Sequence, residues 1–387
     1  MRLSERLREI KSSPTLAITA KAKKLRSEGK DVVSFAAGEP DFDTPDQVKK
    51  AACDAIAAGF TKYTPTTGTP ELRKLICQKF HKDNGLTYEP SQIIVSCGAK
   101  HSIFNTLFVL ADKGDEVLIP EPYWVSYPEM VRMCEARPVF MKTGAANNYK
   151  ITAQELAKAI TPRTKVLILN SPSNPTGCVY SREELSAIAD VCVKHSVYVI
   201  SDEIYEKIIF DGLTPFSIAS LNKDIYGLTV TVNGLSKSHS MTGWRIGFLG
   251  AAAPIAQAIS NMQDHSTSNP CSISQKAAVA ALEMPDSFAT TARTEFQKRR
   301  DYIASRLDGM KKISYVLPKG AFYIFCDISK TKLGSMEFAQ KMIDENLVAL
   351  IPGIAFGSDS SVRISFATSM EQIKKGMDRL EQFLSKV

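Results

Sequence analysis

Between residues 45 and 290 the chain alternates two hydrophobic patterns. Short runs in which nearly every position is apolar (QIIVS, EVLIP, KVLILN, VYVIS and LTVTVNG) are separated by longer stretches whose apolar positions recur every three or four residues, such as SREELSAIADVCVKH. Unbroken apolar runs of this length predict strands buried on both faces, and helices between them predict a mainly parallel sheet. Thr44 is placed to cap the first helix of this region, with Pro45 at its first position and Val48, Ala52 and Ile56 at helical spacing.

The last hundred residues follow another rhythm. ISYVLPKGAFYIFCDI predicts two strands around a Pro-Lys-Gly turn, followed by a helix from Met336 to Glu345. LVALIPG and SVRISFA predict two more strands, and a final helix opens with the capping box Thr368-x-x-Glu371. This is an α+β unit, so the expected organisation is a large α/β domain over 46–290 and a smaller domain made of 1–45 and 291–387. There are no internal repeats and no low-complexity segments.

Composition narrows the class without naming it. The 387 residues are 44% hydrophobic and 23% charged, an ordinary globular balance. The formal net charge is +7, but basic and acidic residues alternate along most of the chain. The one mainly basic stretch, RLREIK to KAKKLR, has the apolar spacing of a solvated helix, which argues against nucleic-acid binding. Eight cysteines lie far apart with no CxxC pair and no histidines at metal-site spacing, so they read as reduced, mostly buried thiols, with no metal site. No apolar signal core and no run of about 20 apolar residues is present, so no membrane association and a cytoplasmic location are expected.

Candidate chemistry collects where the apolar runs stop, since ligands of open parallel sheets bind beyond the carboxyl ends of the strands. QIIVS is followed by Cys97-Gly98-Ala99-Lys100 and a helical pattern, an entry whose backbone N–H groups suit a phosphate. KVLILN ends in Asn170 and is followed by SPSNPTG with Asn174, VYVIS by Asp202 and Tyr205, and LTVTVNG by Ser236, Lys237 and, farther on, Arg245. Each has a bland alternative: asparagines form turns, an aspartate caps a helix, a lone glycine starts one. Together they match the needs of pyridoxal 5′-phosphate. That cofactor requires a lysine to attach it, an anion site, and a carboxylate that keeps its ring nitrogen protonated. Asn174 and Tyr205 are placed to serve the ring oxygen, and a lysine among cations in a dry pocket is readily deprotonated.

With these residues in hand, the chain resembles the class I aminotransferases, enzymes of the pyridoxal-phosphate fold type I, and within them the bacterial Iβ group of aspartate aminotransferases, some of which accept prephenate. The resemblance runs through AGEPDFDTP, TKYTPTTGTPELR, EPYWVSYPEM, NSPSNPTG, SDEIYE, SKSHSMTGWRIG and SVRISFA, in that order. It implies a seven-stranded, mainly parallel sheet with helices on both faces. It also implies that Lys237 holds the cofactor and shuttles the proton, that Asp202 pairs with the ring nitrogen, and that Trp124 stacks on the ring. Ser236, Arg245, Gly98, Ala99 and Lys100 would hold the phosphate, with Tyr63 reaching in from a second subunit of a homodimer with shared active sites. Arg363 would grip the substrate α-carboxylate beside Gly38 and Asn174. Lys100, Thr15 and Lys11, with Ser13 weaker, would meet the distal carboxylate. The phosphate loop departs from the group in carrying Ala99 where relatives often have a second glycine.

The resemblance therefore implies ping-pong transamination between amino acids and 2-oxo acids, with aspartate or glutamate as donor, oxaloacetate or 2-oxoglutarate as acceptor, and prephenate as an additional acceptor. Read by themselves, the residues leave bland readings open: Trp124 fits a core aromatic, and Arg363, alternating with Val362 and Ile364, fits a solvated edge charge. His101 and His239 receive no catalytic role. Rival readings are an aromatic or broad-specificity aminotransferase, a β-eliminating enzyme on the same cofactor, and a non-catalytic binding module of the same fold.

Overall fold

The computed structural model describes residue 10 and residues 14–387. Helix α1 (Pro14–Ser27) and a two-residue strand, β1 (Val33–Ser34), precede the central sheet. That sheet consists of β2 (Ile93–Ser96), β3 (Glu116–Glu121), β4 (Arg137–Lys142), β5 (Thr164–Asn170), β6 (Tyr198–Asp202), β7 (Thr229–Gly234) and β8 (Gly247–Gly250). Its order is β2-β8-β7-β6-β5-β3-β4. The strands from β7 to β4 are parallel, while β8 is antiparallel to both of its neighbours. The fold is therefore α/β with a mainly parallel seven-stranded sheet, as expected.

Both faces are buried, for the reason the apolar runs imply. Along β5, Val166 and Ile168 enter one core while Leu167 and Leu169 enter the core on the other face. Two strands escaped the hydrophobic pattern. β4 is one edge of the sheet and is half exposed, and β8 is only four residues long with a glycine at each end. Those glycines are required by close packing. A Cβ on Gly247 would lie 2.1 Å from Ala99 N, and one on Gly250 would lie 2.5 Å from the Tyr88 ring.

The carboxy-terminal part forms its own sheet, in which β10 (Tyr323–Asp327) lies between β9 (Ser314–Tyr315) and β13 (Ser361–Ser365). LVALIPG is not one strand. Its first half, β11 (Val348–Ala349), pairs in parallel with β1, and its second, β12 (Ile351–Pro352), pairs antiparallel with β13. Pro352 has no N–H to donate, which fits the edge position β12 occupies. Ile18 and Ala22 of α1 pack with Phe325, Ile343 and Ile351.

Two helix caps differ from expectation. Helix α2 (Asp46–Ala57) starts after Pro45 without a side-chain cap. The Thr44 hydroxyl instead donates to Ser240 O at 2.7 Å and accepts from Trp244 Nε1 at 3.0 Å, so it is already occupied. The final helix, Met370–Lys386, is capped by Ser369, whose hydroxyl accepts from Gln372 N at 3.3 Å, and Thr368 lies one residue too early. Of the eight thiols, four are buried, and Cys53 and Cys271 are exposed, so "mostly buried" overstated them. None forms a disulfide; no group of metal-binding side chains occurs among the described residues, and none of their helices is long and apolar enough to cross a membrane.

Candidate active site

Three parallel strands end at one cavity of about 300 Å³. β5 delivers Asn170 and, through the following loop, Asn174. β6 delivers Asp202, and β7 is followed by Ser236 and Lys237. Trp124, after β3, and Arg363, from β13 of the smaller sheet, complete the walls. The side chains lining the cavity include four cations, Lys100, Lys237, Arg245 and Arg363, against one carboxylate, Asp202. Such an excess calls for an anionic ligand carrying more than one negative charge.

Lys237 explains why β7 ends as it does. Its Nζ donates to Gly38 O at 2.6 Å and stands 5.9 Å from the centre of the Tyr205 ring. Burial depresses its pKa to about 8; Glu39 and Asp202 oppose the shift, while Arg245 and Arg363 add to it. An amine so placed gives up its proton close to neutral pH.

Asp202 is 4% exposed. Burial raises its pKa, against hydrogen bonds from Tyr127 and from the Ile204 N–H and the attraction of Lys237. Tyr127 Oη donates to Asp202 Oδ2 at 2.7 Å, and Ile204 N donates to Oδ1 at 3.2 Å. A buried carboxylate whose charge is only partly compensated is suited to hold a cationic N–H. Tyr127 also packs edge-on against Trp124, with ring centres 5.2 Å apart. Sequence reasoning missed Tyr127. Its one signal was its position three residues after Trp124, at the start of the helix Tyr127–Met133.

The amino terminus of a helix also lines the cavity. Gly98 (φ 90°) precedes helix α4 (Ala99–Leu110) and offers no side-chain cap; the His101 N–H turns back to Gly98 O at 2.9 Å, and the Ala99 and Lys100 N–H groups are left for a ligand. Glycine is needed here: besides the positive φ, a Cβ would sit 2.3 Å from Arg245 Nη2. Arg245 is anchored on Thr242 O at 2.8 Å and Cys97 O at 3.3 Å. Ala99, where a second glycine was expected, is the first residue of α4 and carries a backbone N–H as glycine would. Lys100 lines the same cavity, its ammonium 4.9 Å from the centre of the Trp124 ring, with a pKa lowered by burial and by Arg245.

Arg363 is 3% exposed, so the solvated-edge reading fails. β13 is an inner strand, between β12 and β10. The guanidinium lies over Tyr323, 4.3 Å from the ring centre, donating from Nη1 to Asn174 Oδ1 at 2.9 Å and from Nη2 to Ala36 O at 3.1 Å. Among the described residues its Nε has no partner. A buried guanidinium with an unsatisfied N–H is prepared for a carboxylate. Tyr323, absent from the sequence reading, also meets Tyr205, their hydroxyls 3.0 Å apart. Asn170 Oδ1 accepts from Asn174 N at 2.9 Å and so orients the loop.

The cavity thus brings together Gly38, Ala99, Lys100, Trp124, Asn174, Asp202, Tyr205, Ser236, Lys237, Arg245 and Arg363, with Gly98 at its edge. Tyr63 is not among the lining residues and is 93% exposed. Lys11 and Ser13 lie outside the described residues, and Thr15 enters only as backbone in the first turn of α1.

A family model described as aminotransferase class I and II matches residues 30–380. An aspartate aminotransferase of Bacillus sp. (strain YM-2) is 46% identical, covering 99% of each chain. An aspartate/prephenate aminotransferase of Cereibacter sphaeroides is 45% identical over 98% of each chain. Among solved structures, the aspartate aminotransferase of Thermus thermophilus with maleate superposes with a TM-score of 0.95 at 41% identity, over 99% of this chain and all of that one.

Proposed function

The chain belongs to the class I and II aminotransferases, and on that premise we propose that it uses pyridoxal 5′-phosphate to move the amino group between aspartate or glutamate and 2-oxoglutarate or oxaloacetate. What carries this reading is one juxtaposition: Lys237, with its pKa held down to about 8, a buried Asp202 and a buried Arg363 with an open Nε face the same cavity.

The residues fit the cofactor. The first turn of α4, Ser236 and Arg245 would hold its phosphate, Asp202 its ring nitrogen, Asn174 and Tyr205 its ring oxygen, and Trp124 its face. Once bound, pyridoxal phosphate supplies the electron sink for breaking the α-C–H bond. Lys237 would attach the cofactor, and its freed Nζ would take the α-proton and return it. Arg363 would fix the α-carboxylate, so that the α-hydrogen faces Nζ. Tyr127, donating to Asp202, favours its ionised form against the opposing effect of burial.

Substrate choice depends on what meets the side chain. Lys100 lies on the Trp124 side of the cavity, and a flexible point charge there can follow distal carboxylates of different reach. Prephenate, with a ring-borne carboxylate, is proposed as a further acceptor by analogy with the Cereibacter sphaeroides relative. Thr15 and Lys11 are proposed as additional readers. The exposed Tyr63 would complete the phosphate cradle of a second copy in a homodimer. Residues 46–290 are proposed as the large cofactor-binding domain, and 1–45 with 291–387 as the smaller domain that closes over the substrate. Amino-donor and oxo-acid profiling of wild type and Lys100→Ala tests the assignment. Losing one charge-assisted contact costs about 1.5–3 kcal/mol, so kcat/KM for aspartate should fall roughly tenfold to over a hundredfold. Alanine should be affected far less. An equal loss for both would confine Lys100 to the phosphate, and a wild type preferring phenylalanine to aspartate would overturn the substrate reading.

A further inference from the structure

The turn that brings Asp202 and Tyr205 to the cavity has a second face. Glu203 and Glu206 do not line that cavity, yet both are more than nine-tenths buried. A single amide joins them: Asn84 Nδ2 donates to Glu203 Oε2 at 2.9 Å and to Glu206 Oε2 at 2.6 Å. Asn84 is the last residue of helix α3 (Pro70–Asn84), which Gly85 terminates with a φ of 66°. Its Oδ1 accepts from Lys79 Nζ at 2.7 Å, and Lys79 also pairs with Glu206. Ser201 and Ser217 each donate to Glu203 Oε1 at 2.7 Å. The turn itself is closed by Glu206 N donating to Glu203 O at 3.0 Å.

We propose that Glu203 and Glu206, bridged by Asn84, are positioning residues for the reaction: they clamp the back of the 202–206 turn so that Asp202 and Tyr205 hold their places at its front. The inference rests on the roles proposed above for those two residues. Glu203 is bonded directly to Asp202 in the chain and lies two residues from Tyr205, so a shift of its carboxylate moves both. Misplacement by about 1 Å can cost on the order of a hundredfold in rate.

The charges around the clamp give it a second signature. Two buried carboxylates share one close cation, Lys79, which also lies 3.7 Å from Asp83. Lys207 is engaged by Asp83 and Asp286, and Lys82 by Asp286. Asp202 is the adjoining acid, and the Tyr88 phenol, within the field of Glu203, stays neutral. Burial, reinforced by Glu206, pushes Glu203 up to about 7. Between the ordinary glutamate range and that value the folded chain holds a proton that the unfolded chain has lost. This group therefore makes the fold less stable as pH rises through the window. Glu203→Gln cannot titrate and removes that contribution.

The test compares wild type with Glu203→Gln and Asn84→Ala. In each variant kcat should fall about tenfold or more, while KM for the amino donor stays within about twofold, because Arg363 is untouched. Denaturant unfolding of the apoprotein from about pH 5 to about pH 7 should show a smaller loss of stability in Glu203→Gln than in wild type. Asn84→Ala keeps both carboxylates and serves if the glutamine variant does not fold. Unchanged kcat in either folded variant, or an undiminished pH slope in Glu203→Gln, overturns the proposal. Asp202→Asn, assayed alongside, separates the two levels. If it is crippled while the clamp variants are normal, only this inference falls. If it is fully active, the roles assigned to the turn fall, and the clamp has nothing to position.

Discussion

Replacing Arg363 by lysine keeps the positive charge and removes the fork. A guanidinium has five N–H groups. Two of those on Arg363 are engaged by Asn174 Oδ1 and Ala36 O, and three remain, including the orphaned one on Nε, enough for a two-point grip on a carboxylate. An ammonium has three; after the same two partners are satisfied, one is left. Arg363→Lys therefore loses one charge-assisted hydrogen bond to the substrate, about 1.5–3 kcal/mol. At 1.36 kcal/mol per decade this is roughly tenfold to over a hundredfold in kcat/KM. The assay is the first half-reaction under single-turnover conditions, with aspartate and with a simple alkylamine as donors. Aspartate should lose the full factor, while the alkylamine, with no carboxylate to grip, should change little. Equal losses for the two donors, or none for aspartate, would refute the role given to Arg363.

Other variants probe the remaining parts of the site. Asp202→Asn should retain the fold, since the amide oxygen can still accept from Tyr127, and should lose about 10²–10³ in kcat, because a neutral amide does not stabilise a protonated ring nitrogen; near-normal turnover would contradict the pairing. Mixing Tyr63→Ala with Lys237→Ala subunits should restore activity to about a quarter of wild type, since random assortment makes half the dimers hybrid with one intact site each. Failure of the mixture to gain activity after subunit exchange is demonstrated would rule out a shared site.

How much of this was legible in the sequence depends on how strongly each feature is marked locally. β2, β3, β5, β6 and β7 were readable because each carries a run of bulky, mostly β-branched or aliphatic residues, whereas β4 is half-exposed and β8, though buried, is only Phe248 and Leu249 between two glycines. Asn174, Asp202 and Lys237 stood out because polar groups directly after apolar runs mark strand ends. Arg363 could not be placed by pattern, since alternation with Val362 and Ile364 describes an edge strand as well as an inner one; only the β12-β13-β10 order decides it. Tyr127 and Tyr323 look like core aromatics, and their function lies in hydroxyl contacts across the fold, with Asp202 and Tyr205. The Thr44 and Thr368 caps failed because neighbouring residues competed: Trp244 and Ser240 occupy the first hydroxyl, and Ser369 outplaces the second.

The central claim is that Lys237 is the residue on which the cofactor is carried. Borohydride reduction of the purified protein loaded with pyridoxal phosphate, followed by peptide mapping, tests it most directly. The expected result is a single modified peptide containing Lys237, and a loss of that modification together with transamination in Lys237→Ala. The label on any other lysine, or a wild type that takes up no label, would contradict the account.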